Sequence, residues 1–310
     1  MARLAHLSDL HFGAHDPRLV AAVEERIDAE KPDLVVISGD FTQRARTEQF
    51  KEACRFLERL RDAGHEVLGV PGNHDVPLYD VLRRFLSPLT RYRRYIDDSL
   101  CPFHELGDAV VLGINTARSL TFKDGRINAE QVEYIAETFA RARPEAARIL
   151  VTHHPLFALP VGDGPDLGTP IGRQELALGA IADAGVDLLL AGHNHRASTH
   201  HAPDLVTRAG SALVIQAGTA TSTRLREEEQ SFNLIDVSAA DVTVTVQAWD
   251  GQGYSSRDSQ RYLRDGETPA SDAAKAASSR PDSSSPAQPA SQRPRWRLTP
   301  PPGRSRVDQI

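Results

Sequence analysis

Five short clusters of donor side chains punctuate the first two thirds of the sequence: SDLH at Ser8 to His11, SGD at Ser38 to Asp40, PGNHD at Pro71 to Asp75, THHP at Thr152 to Pro155 and AGHNH at Ala191 to His195. They bring together carboxylates, imidazoles and the amide of Asn73, with no cysteine among them. Nitrogen and oxygen donors of this kind suit borderline cations such as zinc, manganese, iron(II) or cobalt, whereas structural zinc sites usually recruit thiolates. With one histidine counted from THHP, the donors Asp9, His11, Asp40, Asn73, His153, His193 and His195 number seven. One tetrahedral ion cannot use them all. Two ions about 3.5 to 4 Å apart can, provided one carboxylate bridges them and solvent completes both shells.

Each cluster follows an apolar run, which is the sign of a buried strand. The runs predict strands over Arg3 to Ser8, Leu34 to Ser38, Glu66 to Val70, Ala109 to Ile114, Arg148 to Thr152 and Val186 to Ala191. Between the second and third, TEQFKEACRFLERLRDAG reads as an amphipathic crossover helix. Thr47 is its expected N-cap, Phe50, Cys54, Leu57 and Leu60 its buried face, and Gly64 its stop. Strands alternating with helices make an α/β fold, in which ligands bind beyond the carboxyl ends of the strands. After His195, LVTRAGSALVIQAG, SFNLIDVS and DVTVTVQAWD read as further strands with no long helix between them. Taken singly, a GD after a strand is an ordinary turn. Matching donors at the ends of five strands are not explained that way. His6 is expected to be a packed core histidine, and His104, His200 and His201 to lie at the surface.

The ordered set DLH, GD, GNHD, THHP and GHNH, from Asp9 to His195, resembles the calcineurin-like metallophosphoesterase superfamily. Within it the layout is most similar to the bacterial class III 3′,5′-cyclic nucleotide phosphodiesterases. The resemblance implies a four-layer α/β/β/α sandwich of two mixed sheets and two divalent metal ions, Mn2+, Fe2+ or Fe3+, or Zn2+. One ion would be held by Asp9, His11, Asp40 and His195, the other by Asp40, Asn73, His153 and His193, with Asp40 as the bridge. In THHP it implies His153 rather than His154. His74 would stabilise the transition state or protonate the leaving alkoxide, and Asp75 would orient His74 through a hydrogen bond.

The expected reaction is in-line attack on phosphorus by a metal-bridging hydroxide, since coordination lowers the pKa of water from 15.7 to about 7. Two divalent ions, two carboxylates and one hydroxide leave a net positive pit that favours phosphate esters. The resemblance implies small phosphodiesters, 3′,5′-cyclic AMP first among them, as substrates; Arg44 and Arg118, just after predicted strands, are the substrate-binding candidates. Two alternatives remain: a phosphomonoesterase, phospholipid or DNA-end phosphoesterase of the same fold, and a binding scaffold without activity. No residue set specifies a base.

Composition sets the outer limits. Hydrophobic residues make up 40% and charged residues 25% of the 310 residues, ordinary for a folded chain. A net charge of -6 speaks against nucleic acid as a partner. No stretch approaches the roughly 20 apolar residues of a membrane span, so no membrane partner is expected. Cys54 and Cys101 are too few for a disulfide framework, which favours a reducing, cytoplasmic setting, and a homodimer is allowed. Residues 1–265 are expected to form the catalytic domain. Residues 266–310, rich in Ser, Pro, Ala and Arg, are expected to be a tail without structure.

Overall fold

The computed structural model describes residues 1–120, 124–156, 171–194, 197–201, 212–223, 229–264 and 296–299. In chain order the elements are β1 (Ala2–Leu7), α1 (Pro17–Glu30), β2 (Leu34–Ile37), α2 (Thr47–Asp62), β3 (Val67–Gly69), α3 (Val81–Leu86), α4 (Thr90–Tyr95), β4 (Phe103–Glu105), β5 (Ala109–Gly113), α5 (Ala129–Ala140), β6 (Ala147–Val151), α6 (Gln174–Ala184), β7 (Leu188–Ala191), β8 (Ser198–His201), β9 (Leu213–Gln216), β10 (Ser231–Val237), β11 (Asp241–Trp249), β12 (Tyr254–Arg264) and β13 (Trp296–Leu298). One sheet runs β13-β12-β11-β10-β1-β2-β3 and the other β4-β5-β6-β7-β9-β8. Each is mixed: β1, β2 and β3 are mutually parallel, as are β5, β6, β7 and β9, while the flanking pairings are antiparallel.

Side-chain alternation along the parallel strands generates the layers. On β2, Leu34 and Val36 meet the facing sheet, whereas Val35 and Ile37 meet α1 and α2. On β5, Ala109 and Val111 face the first sheet while Val110 and Leu112 face α5 and α6. Both faces of these strands are therefore buried, which is why they read as unbroken apolar runs. Three apolar cores between four layers make the α/β/β/α sandwich that the sequence motifs imply.

The predicted crossover helix exists with two differences. Its N-cap is Arg46, in extended backbone, and Thr47 is already helical. Gln49 does the work expected of the cap: its Oε1 accepts from the N–H groups of Arg44 and Arg46. Its buried face uses Ala53 and Phe56 beside Phe50, Leu57 and Leu60, with Cys54 only half-buried. Of LVTRAGSALVIQAG, Leu213–Gln216 forms β9, and residues 205–211 lie outside the described residues. The segment expected as a tail contributes β13, paired antiparallel with β12; most of the remainder of that segment lies outside the described residues.

His6 sits in the inter-sheet layer, fully buried, with Nε2 2.9 Å from Ser38 Oγ. Burial lowers its pKa from 6.5 to about 3, against a small opposing effect of Asp9. An unfolded chain takes up this proton near pH 6.5 and the folded one does not, so His6 leaves stability untouched above that pH and drains it as pH falls toward 3. Between pH 7 and 5 the loss is on the order of 2 kcal/mol. In chelator-treated protein, His6→Gln should flatten the dependence of the urea midpoint on pH over that interval, and an unchanged slope would discard this account.

Candidate metal centre

The carboxyl ends of β1, β2 and β3 in one sheet, and of β6 and β7 in the other, release their loops on the same edge of the sandwich. Six of the seven expected donors come together there, and His195 lies outside the described residues. Four of the six, Asp9, His11, Asp40 and His193, have left-handed backbone, with φ of 53°, 49°, 54° and 72°. This conformation costs roughly 1–2 kcal/mol per residue, and Asp, Asn and His tolerate it better than most side chains. The strain turns each chain sharply as it leaves its strand, so that the side chains point back across the sheet ends.

Asp40 lies at the middle of the set. Its Oδ1 accepts from the His74 N–H at 2.8 Å, and its Oδ2 stands 3.8 Å from His11 Nε2 and 3.5 Å from His153 Nε2. Asp9 is arranged alike: Oδ2 accepts from Ser8 Oγ and from the His193 N–H, while Oδ1 stands 3.6 Å from His11 Nε2. Asn73 Oδ1 is 3.1 Å from His153 Nε2 and 3.2 Å from His193 Nδ1. Burial raises the Asp40 carboxyl pKa, yet the imidazoles of His153, His74 and His11 outweigh it and hold that carboxyl below the usual range.

The residues fit a cation on one chemical ground. His153 Nδ1 is 2.8 Å from the Ser38 carbonyl oxygen. A carbonyl only accepts, so Nδ1 carries the proton and Nε2 presents a lone pair. That lone pair faces the oxygens of Asn73 and Asp40 at 3.1 and 3.5 Å, and such an arrangement is stable when a cation or proton lies against all of them. Asp9, Asp40 and His153 offer ligand atoms within 4.8 Å of one another, and so do His153, His154 and His193.

His154 is thus a donor-cluster member that the motif reading set aside. Its ring centroid is 4.8 Å from those of His153 and His193, and its Nδ1 lies 2.8 Å from Thr116 Oγ1. A hydroxyl can give or take a proton, so Thr116 does not fix this tautomer as Ser38 fixes that of His153.

His74 is half-buried, edge-on to His11 with centroids 4.9 Å apart, and its Nδ1 donates to the Gln43 carbonyl oxygen at 2.8 Å. The expected hydrogen bond from Asp75 is absent. Asp75 is buried and accepts instead from the N–H groups of Phe41, Thr42 and Gly72 and from Thr42 Oγ1. Its function is to tie the loop after β3 to the loop after β2. Burial, then the Asp40 carboxylate, push its pKa up to about 6 against those hydrogen bonds. The separation of Asp75 from the His74 ring has a geometric cause: Asn73–Asp75 is a single 3-10 turn, in which successive side chains diverge by about 120°.

The two candidate arginines differ. Arg44, next to Gln43, is exposed with its guanidinium over the Tyr79 ring, 5.5 Å from the centroid. Arg118 lines a cavity of about 340 Å³, but its guanidinium is held by the carbonyls of Asn115 and Ala117 and by Gln131 Oε1.

Close approach between the loops depends on Gly72. A Cβ there would meet Asp40 Oδ1 at 2.1 Å and Asp40 N at 2.3 Å. Because one of these atoms is backbone, Gly72→Ala must displace Asp40 itself. The expected result is a loss of about 1–3 kcal/mol in stability together with lower metal content by elemental analysis; wild-type metal content in the variant would show that the loop yields instead.

The family model for calcineurin-like phosphoesterase matches residues 2–197. A cAMP/cGMP dual specificity phosphodiesterase of Mycobacterium tuberculosis is 27% identical over 268 residues, covering 76% of this chain and 75% of its own length. A glycerophosphodiester phosphodiesterase of Enterobacter lignolyticus is 34% identical over 83 residues, 23% of this chain and 29% of that one. Among solved structures, a purple acid phosphatase from yellow lupin superposes with a TM-score of 0.65 at 14% identity, covering 84% of this chain and 53% of the phosphatase, a likeness of fold.

Proposed function

Since the chain belongs to the calcineurin-like phosphoesterase family and is a metal-dependent phosphoesterase, we propose that it hydrolyses small phosphodiesters at a two-metal centre, with 3′,5′-cyclic AMP the first candidate substrate. The observation that carries the reading is the position of Asp40 Oδ2 between two imidazole nitrogens, 3.8 Å from His11 and 3.5 Å from His153. One carboxylate set between two donor groups is what a shared ligand requires. Asp9, His11, Asp40 and His195 would hold one divalent ion, and Asp40, Asn73, His153 and His193 the other, with His195 assigned from its motif alone. When bound, the ions supply Lewis acidity toward phosphoryl oxygens and lower the pKa of coordinated water toward 7.

The chain's own residues then orient and protonate. His74 keeps a proton on Nδ1 through Gln43; as the imidazolium it carries a second proton on Nε2, which it gives to the leaving oxygen and regains from solvent. Asp75 holds the turn that carries His74 against the Asp40 loop. Ser38 and Ser8 orient His153 and Asp9. Arg44 stands at the rim as the candidate contact for substrate anions. Preference for a diester is supported by the phosphodiesterase of M. tuberculosis, to which the chain is similar over most of its length. The metals proposed are manganese, iron or zinc.

The test is a substrate panel with protein reconstituted in each metal. Bis-p-nitrophenyl phosphate should be turned over faster than p-nitrophenyl phosphate, with 3′,5′-cyclic AMP a good substrate and DNA a poor one. A preference for the monoester would replace the diester reading, and inactivity with all metals would leave a binding scaffold.

A further inference from the structure

Helix α3 is inside out. Its one buried residue is Arg84, 3% exposed, whose guanidinium donates to the carbonyls of Pro77 and Ser119. Around it Leu78, Tyr79, Val81, Leu82, Phe85 and Leu86 are exposed by 41 to 75%. The bond to Ser119 brings Leu120, 78% exposed, to the same region. Singly exposed apolar side chains are ordinary, but a contiguous set is the mark of a surface that something covers.

The charge around the patch says what. In a chain of net charge -6, α3 and α4 with their connection carry Arg83, Arg84, Arg91, Arg93 and Arg94 against the single Asp80 at the N-cap of α3. Asp80 pairs with Arg83 at 3.0 Å. Arg93 and Arg94 are exposed, as is Arg44 over Tyr79; Asp97 and Asp98 come only after α4 ends. Apolar side chains framed by arginines match an anionic bilayer surface, where the former enter the acyl boundary and the latter meet lipid phosphates. A second copy of the chain fits less well, because a two-fold contact would set these arginines against their own equivalents.

We propose that the α3 patch docks the protein on anionic membrane surfaces. Docking needs no spanning segment, and none of the described helices is long and apolar enough to cross a membrane. α3 starts six residues after Asp75, and Arg44, stacked on Tyr79, follows the Gln43 that holds His74. The docked face therefore adjoins the rim of the metal centre. On the phosphodiesterase reading, that presents the site to phosphodiesters at headgroup level.

The experiment is co-sedimentation of the full chain with vesicles of phosphatidylcholine alone or mixed with phosphatidylglycerol, at low and high salt. The wild type should bind the mixed vesicles and be released by salt. Leu82→Glu with Phe85→Glu should lower the bound fraction at least about tenfold while turnover of bis-p-nitrophenyl phosphate stays at the wild-type level. Arg93→Glu with Arg94→Glu should weaken binding to the mixed vesicles. Should the acidic pair fail to fold, Leu82→Ser with Phe85→Ser makes the same comparison. Wild type left in the supernatant with both compositions overturns the proposal, as does a dimer in gel filtration that the α3 variants convert to monomer. Vesicle binding is read without turnover, so docking and the phosphodiesterase reading fail separately.

Discussion

Asp40→Ala is expected to empty the metal centre. The substitution removes the oxygen that stands between His11 and His153 and leaves the His74 N–H without its acceptor. Hydrogen-bond partners of metal ligands are already worth about 10- to 100-fold in metal affinity, so a shared ligand should be worth more than about 100-fold for both ions. Elemental analysis after dialysis should find neither ion, and diester turnover should fall to background. The orphaned N–H adds a stability penalty of about 1–3 kcal/mol. Asp40→Asn separates the two effects, because its oxygen still accepts from His74 while the negative charge is gone: stability should recover and metal should not. An Asp40→Ala protein that retains one full equivalent of metal would mean that the carboxylate serves one ion only.

His74→Ala should divide metal binding from catalysis. The ring is no part of either proposed ligand set, and its backbone N–H, the group that Asp40 uses, survives the substitution. Metal content should stay at the wild-type level while turnover of 3′,5′-cyclic AMP, whose leaving group is an alkoxide, falls by about 10²- to 10⁴-fold, the range for loss of a general acid. The loss should be smaller for substrates whose leaving group needs no proton, such as a nitrophenolate, than for an alkyl diester. Gln43 holds His74 through a main-chain oxygen, so Gln43→Ala should preserve turnover. Metal loss in His74→Ala equal to that in Asn73→Ala would overturn this division.

The strands bearing the donors were readable because both of their faces are buried, and an unbroken apolar run followed by Gly, Asp or His is visible in one dimension. β12 was not. Tyr254–Arg264 is exposed along most of its length, so neither a continuous run nor an apolar alternation marks it. α3 was invisible for the opposite reason: its apolar side chains face outward around a buried arginine, and periodicity presumes an apolar face turned inward. At the centre, residue types and order were legible, whereas partners were not. Asp75 neighbours His74 in the chain and serves Phe41, Thr42 and Gly72 in space. Likewise, nothing in THHP tells that the Ser38 carbonyl, 115 positions away, sets the tautomer of His153.

The left-handed bends at Asp9, His11, Asp40 and His193 bear on how such a protein can evolve. A saturation library at these four codons would be filtered twice, first by backbone geometry and only then by coordination chemistry. Valine, isoleucine and threonine fail the first filter outright, while glycine and asparagine pass it without restoring the charge. Adaptation to new substrates is therefore channelled away from the cage and toward rim positions such as Arg44, which lacks a left-handed bend and where nearly any side chain can be tried.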